Sequence, residues 1–104
     1  MTSQIYLHGR LSDNPELLQT KKGTLMVRIL LSTQLLRETR PGEIQTEIIT
    51  LPVKFFSYPA EQVKELKRGD ELTIGAHLYG TKFENGDTVR HGISLVADVV
   101  FRSR

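Results

Sequence analysis

The spacing of histidine, serine and cysteine decides whether this sequence can support catalysis. The three histidines, His8, His77 and His91, fall within predicted strands, and none has a second histidine or an aspartate at metal-site spacing. The chain has no Gly-x-Ser-x-Gly segment and no cysteine, which excludes thiol catalysis, disulfides and thiolate metal ligation. We therefore predict a protein that is not an enzyme and needs no cofactor, with the histidines as barrel-wall or surface residues.

The enzymatic pattern that comes nearest is a phosphate-binding loop. Gly75 and Gly80 have the spacing of a Walker A motif, but Thr81-Lys82 follows instead of lysine and then serine or threonine. No helix is predicted after this segment. The pattern is therefore rejected as a nucleotide site.

Basic and aromatic residues point instead to single-stranded nucleic acid. Proteins that hold a single strand combine a positive groove along the phosphates with aromatic faces that stack on bases. Strand alternation sends one of Phe55 and Phe56 to the core and leaves the other on the surface. The alternative is that the cations belong to an ordinary solvated surface. The candidate nucleic-acid-binding residues are Lys21, Lys22, Arg28, Arg37, Arg40, Lys54, Phe56, Tyr79, Lys82, Phe83 and Arg90.

The elements that must position these residues are strands, because the dominant hydrophobic period is two. Apolar alternation or enrichment in β-branched and aromatic residues marks five segments. They are residues 5–11, 25–31, 45–56, 72–78 and 89–101. Pro52 predicts a bulge or a strand edge, since proline cannot donate to the ladder.

Turn and helix signals fix the order of these strands. Asn85-Gly86 predicts a hairpin turn, and a helix is predicted to start at Pro59, run over 60–66 and end at Gly69. Five strands with one helix between the third and fourth is the layout of an OB-fold, a Greek-key barrel. An SH3-like barrel or an open meander are the alternatives. The fold class predicted is all-β with one short helix.

Composition sets the remaining bounds. The 104 residues suit a single domain over 1–104, and 38% apolar residues are too many for a disordered tail. The net charge of +2 leaves a polyanionic partner open only if the cations cluster. No apolar run is long enough to span a bilayer, and the N-terminus lacks a signal-peptide pattern, so no membrane partner and a cytoplasmic location are expected.

Six groups of residues occur in a specific order. They are Ile5–Leu11 with Asn14–Leu17, Thr20–Gly23, Val27–Thr33, Gly42–Glu47, Phe56–Glu61 and Leu66–Asp70. In this order they resemble the bacterial single-stranded-DNA-binding protein family, over residues 5–101. The resemblance implies an OB-fold that binds single-stranded DNA without strong sequence choice in replication, repair or plasmid and phage maintenance. It also implies a homodimer or homotetramer in which the segment Gln4–Arg10 pairs with its copy.

The stacking residues of that family are only partly retained. Its bases stack on tryptophans and a phenylalanine, and this chain has no tryptophan. The resemblance places two tryptophan positions at Ile48 and near Leu36 or Arg37, and it leaves Phe83 and Phe56 as aromatic matches. Because stacking contributes about 1–3 kcal/mol per base, we expect weaker and more salt-dependent binding.

The chain end departs from the family as well. Family members have a flexible tail with an acidic tip that recruits other proteins, whereas this sequence ends in the basic segment Phe101–Arg104. Recruitment through an acidic tail is therefore not expected. One alternative is a primosome accessory protein resembling the dimeric primosomal replication protein N family, which helps load a replicative helicase. Another is an OB-type protein-interaction module that uses Leu35 and Leu36.

Overall fold

The computed structural model describes residues 4–101, apart from the side chains of Thr81 and Phe83. Its elements are β1 (Ile5–Leu11), β2 (Glu16–Gln19), β3 (Leu25–Arg40), β4 (Glu43–Phe56), α1 (Ser57–Val63), β5 (Glu71–Asn85) and β6 (Thr88–Phe101). The five predicted strands are present, and β2 is an additional short strand. All four residues of β2 are exposed and do not alternate, so the sequence carries no period-two signal there.

The strands form one sheet that closes on itself. Their order is β1-β5-β6-β4-β3-β2, and a further pairing of β1 with β3 at Arg10 and Leu11 completes a barrel. The β4–β6 pairing is parallel, and the other pairings are antiparallel. With α1 between β4 and β5, this arrangement confirms the predicted OB-fold barrel with one short helix.

Barrel closure depends on a close approach of β1 to β3. A Cβ atom on Gly9 would lie 2.3 Å from the carbonyl oxygen of Ser32 and 3.0 Å from Cγ of Leu31. Beside it, the Thr33 hydroxyl donates a hydrogen bond to the carbonyl of His8 at 2.7 Å. Only glycine allows the two main chains to come this near.

A buried row of side chains crosses four strands. Val27, Phe55, Ala97 and Ala76 are successive partners on β3, β4, β6 and β5, and none is more than 3% exposed. Side chains alternate between the two faces of a strand, so the next row must point outward. That outward row is Arg28, Lys54, Val96 and His77.

Two hairpins continue beyond the barrel as arms. The β3–β4 arm (residues 34–48) turns at Pro41-Gly42, where Gly42 has φ +80°. The β5–β6 arm (residues 80–93) turns at Gly86-Asp87, one residue later than predicted, with Gly86 at φ +64°. A glycine with positive φ suits each two-residue loop.

The helix lies earlier than predicted, over Ser57–Val63. Ala60 and Val63 are buried, and Leu66 packs on the core from the turn that follows, so Val63 and Leu66 face inward as expected. The helix stops at Val63 because the next main-chain hydrogen bond, from Leu66 N–H to the Val63 carbonyl, forms a tighter turn. On its exposed side, the hydrogen bond and charge of Glu61 raise the pKa of Lys64.

Pro52 occupies an edge and not a bulge. It pairs in register with Leu30 of β3, and the β4–β6 pairing begins only at Val53. Pro52, which has no N–H to donate, therefore lies just outside the ladder between β4 and β6.

We predict that Gly9→Ala lowers the free energy of unfolding by about 1–3 kcal/mol, because the new methyl group forces β1 away from Ser32. Urea denaturation measures the loss. The matched control is Gly80→Ala, where no atom lies within 4 Å of the added Cβ and stability should hold or rise by less than about 1 kcal/mol. Equal losses in the two variants would contradict a closure role for Gly9.

Candidate nucleic-acid interface

A cleft of about 410 Å³ opens on the outer surface of β4, β6 and β5. We call it the aromatic cleft. Its walls contain three residues singled out from the sequence, Lys54, Phe56 and Tyr79, although they belong to different hairpins. The remaining lining residues are His77, Ser94 and Val96. Apolar and aromatic walls with a few polar groups are typical of ligand sites.

Strand pairing places each wall of the aromatic cleft. Tyr79 is the β5 partner of Ser94, and Lys54 and His77 lie on either side of Val96. Tyr79 is 55% exposed, so its ring is open to a ligand.

Phe56 ends β4 at one border of the cleft. Phe55 is fully buried and Phe56 is half-buried, which confirms that the pair splits between core and surface. Ser57 follows with φ +57°, a left-handed conformation that non-glycine residues rarely adopt. This turn starts α1 and leaves Phe56 as the last strand residue in the cleft wall.

Arg28 lies in a smaller groove that adjoins the aromatic cleft. The groove of about 330 Å³ is bordered by Arg28, Pro52, Lys54 and the β6 segment 93–95. Lys54 and Ser94 line both depressions. The two cations and the aromatic cleft therefore form one continuous outward surface of β3, β4, β6 and β5, which we call the cleft face.

The arms divide their cations between two faces. Arg90 lies four residues before Ser94 on β6, so alternation puts it on the cleft face. Lys82 and Arg37 fall on the opposite face by the same register. Each has a carboxylate partner at 3.3 Å, Glu84 for Lys82 and Glu47 for Arg37.

The other predicted residues lie away from the cleft. Lys21 and Lys22 are exposed in the turn between β2 and β3, and Arg40 is exposed at the end of β3. The main chain of Phe83 pairs with Arg90 across the β5–β6 arm, and its side chain lies outside the described part of the structure.

Sequence reasoning did not identify His77, Ser94 and Val96 as site residues. His77 Nδ1 lies 3.0 and 2.8 Å from the two carboxylate oxygens of Asp98. Alternation indicates that His77 shares a face with Tyr79, but only the β5–β6 register shows which residues stand opposite them.

Two further properties bear on the chemistry of this surface. Within residues 4–101, no group of three or more histidine, aspartate or glutamate side chains is placed to hold a metal ion. In the same range, α1 is too short and polar to cross a bilayer, and no other helix meets that requirement.

The family model described as the single-strand binding protein family matches residues 2–102. No curated protein matches the chain in sequence.

Solved structures that share the fold include the following two. One is a deletion mutant of the single-stranded DNA binding protein from Thermus aquaticus, with a TM-score of 0.82 and 18% identity. The match covers 99% of this chain and 52% of that one, so this chain spans about half of its length. The other is the Plasmodium falciparum SSB complex with ssDNA, with a TM-score of 0.77, 15% identity, and coverage of 98% of this chain and 96% of that one.

Proposed function

Because the chain belongs to the single-strand binding protein family, we propose that it binds single-stranded DNA across the cleft face, without strong sequence choice. The observation that carries this proposal is the meeting of Lys54, Phe56 and Tyr79 in one cleft. A cation beside exposed aromatic rings is the arrangement that holds a phosphate backbone while bases stack. The likeness to a Plasmodium falciparum SSB complex with ssDNA supports it.

The protein offers fewer aromatic rings for base stacking than the family resemblance implies. Leu36 and Ile48 are 67% and 74% exposed, so the positions matched to family tryptophans present aliphatic side chains. Aliphatic groups give apolar contact but no π-face for a base. Binding therefore depends on Phe56, Tyr79 and Phe83 for stacking and on cations for the rest.

The processes we propose are DNA replication, repair or plasmid and phage maintenance. A primosome accessory role is the alternative within DNA metabolism. A protein-interaction role is favoured by one observation, the exposure of Leu35 and Leu36 on the β3–β4 arm. Titration of fluorescent oligo-dT at two salt concentrations separates these functions, since a pure interaction module would give no salt-dependent DNA binding.

Self-association is proposed through β1. Over residues 5–7 this strand pairs with β5 on one side, whereas its contact with β3 begins with the hydrogen bond from Thr33 to the His8 carbonyl and its pairing with β3 at Arg10. The remaining edge offers unpaired main-chain groups, which proteins usually cover. We predict a dimer or tetramer with β1 paired to its copy, measured by sedimentation. A strict monomer at micromolar concentration would contradict this arrangement.

We predict that the cations contribute unequally to DNA affinity. Arg28→Ala or Lys54→Ala should weaken binding to all sequences and reduce the slope of log affinity against log salt by about 0.7–1 per lost phosphate contact. Arg37→Ala and Lys82→Ala are the matched comparison and should have smaller effects, because each cation lies on the opposite face beside a carboxylate. Salt-independent affinity, or larger effects at Arg37 and Lys82, would be the opposite outcome.

We predict that Tyr79→Ala weakens oligo-dT binding by about 1–3 kcal/mol with little change in melting temperature, because the exposed ring stacks on a base. Phe83→Ala should give a similar loss. Phe56→Ala should also reduce stability, since Phe56 is half-buried. Tyr58→Ala is the control: Tyr58 is 71% exposed but lies on α1, outside the cleft. A lower melting temperature at unchanged affinity for Tyr79→Ala would refute the stacking role.

A further inference from the structure

A hydrogen-bonded pair of side chains stands at the wall of the aromatic cleft. His77 lines the cleft, and its Nδ1 atom lies 2.8 and 3.0 Å from the two Asp98 carboxylate oxygens. Asp98 itself is not part of the cleft wall. The imidazole ring therefore lies between the carboxylate and the space a ligand would enter.

A β-bulge on β6 adjoins the carboxylate. Gly75 pairs with Val99, but the next residue, Ala76, pairs with Ala97, which leaves Asp98 as an extra residue on β6. Ala97 is buried, whereas Asp98 and Val99 are both exposed, so the bulge interrupts alternation and turns two consecutive side chains outward. Bulges often re-aim a side chain next to a functional site.

The carboxylate determines which nitrogen of His77 carries a proton. An ionised carboxylate only accepts hydrogen bonds, so Nδ1 must be the donor to Asp98. In the neutral ring, Nε2 then carries no hydrogen and is a hydrogen-bond acceptor. With Nδ1 engaged, Nε2 is the ring nitrogen that remains for a ligand in the cleft.

We infer that His77 reads the Watson–Crick edge of one unpaired base in the aromatic cleft, with Asp98 as its positioning residue. Nε2 accepts a hydrogen bond from an N–H group of that edge: N3–H of thymine, N1–H of guanine, or the amino group of adenine or cytosine. This inference rests on the proposed function and deepens it.

The same geometry explains how one site can accept every base and still require a single strand. Lys54 and His77 are placed on either side of Val96, so a donor and an acceptor face the cleft from one row of the sheet, on the two strands that flank β6. Each base has an N–H beside an acceptor atom on its Watson–Crick edge. In a duplex this edge is already hydrogen-bonded, so the pair selects unpaired bases rather than a sequence.

The test combines a protein change with a ligand change. Oligo-dT and an oligomer of 3-methylthymine, which lacks the N3–H donor, are titrated against the unaltered protein and His77→Phe. In the unaltered protein, methylation should weaken binding by about 3- to 10-fold more than in His77→Phe, where the ring shape is kept and the acceptor is gone. Effects of the N3-methyl groups at other places on the protein are the same in both proteins, so they cancel when the two affinity losses are divided.

Two variants separate this role from a structural one. His91→Phe is the control, because His91 is exposed on the β5–β6 arm outside the cleft, and it should keep the discrimination of the unaltered protein. Asp98→Asn should reduce the discrimination, since an amide can face Nδ1 with either its N–H₂ or its oxygen. The imidazole ¹⁵N spectrum of His77 should then change from one tautomer to a mixture. If His77→Phe does not fold, His77→Leu, which has no hydrogen-bond acceptor in its side chain, takes its place.

The outcomes are distinguishable. If the unaltered protein binds neither oligomer, the proposed function fails. If it binds both and the methylation effect is the same with and without the His77 acceptor, the proposed function stands and base reading by His77 is overturned.

Discussion

The cleft face depends on one buried row of side chains. Val27, Phe55, Ala97 and Ala76 face the interior from four adjacent strands, and burying Phe55 beside two alanines brings these strands together at the centre of the sheet. Because side chains alternate, this row fixes its neighbours on the outside, including Lys54 and His77. A slip of one residue in any strand would exchange core and surface, so the hydrophobic core also holds the binding residues in register.

Two local departures from regular structure adapt this sheet. Gly9 lets β1 approach β3 closely enough to close the barrel. The bulge at Asp98 changes which residues of β6 face inward, from Ala97 before it to Val100 after it. The first contributes to stability, whereas the second lies at Asp98, whose carboxylate contacts His77 at the wall of the aromatic cleft.

The sequence predicts the strands that bury one face in the core. It predicts little of the strands that are exposed on both faces. Alternation identifies the barrel strands, and it correctly divides Phe55 from Phe56. It misses β2 and the length of the β3–β4 arm, because exposed strands need no hydrophobic period. Lys82 and Arg90 look equivalent in sequence, and only the pairing register puts them on opposite faces. The contact of His77 with Asp98 joins two strands, and only their pairing register shows it.

The arrangement of charge explains how a chain of net charge +2 can hold a polyanion. On the reverse faces of the arms, Arg37 and Lys82 are paired with glutamates, whereas among the described residues Arg28, Lys54 and Arg90 form no ion pair within 4 Å. The DNA binding that we propose for the cleft face depends on this local field and not on the net charge. The cleft face has few free cations and few aromatic rings, so a base contact that needs neither adds to its affinity for DNA. The contact that we infer for His77, whose ring is held by the Asp98 carboxylate, is of this kind and adds no charge.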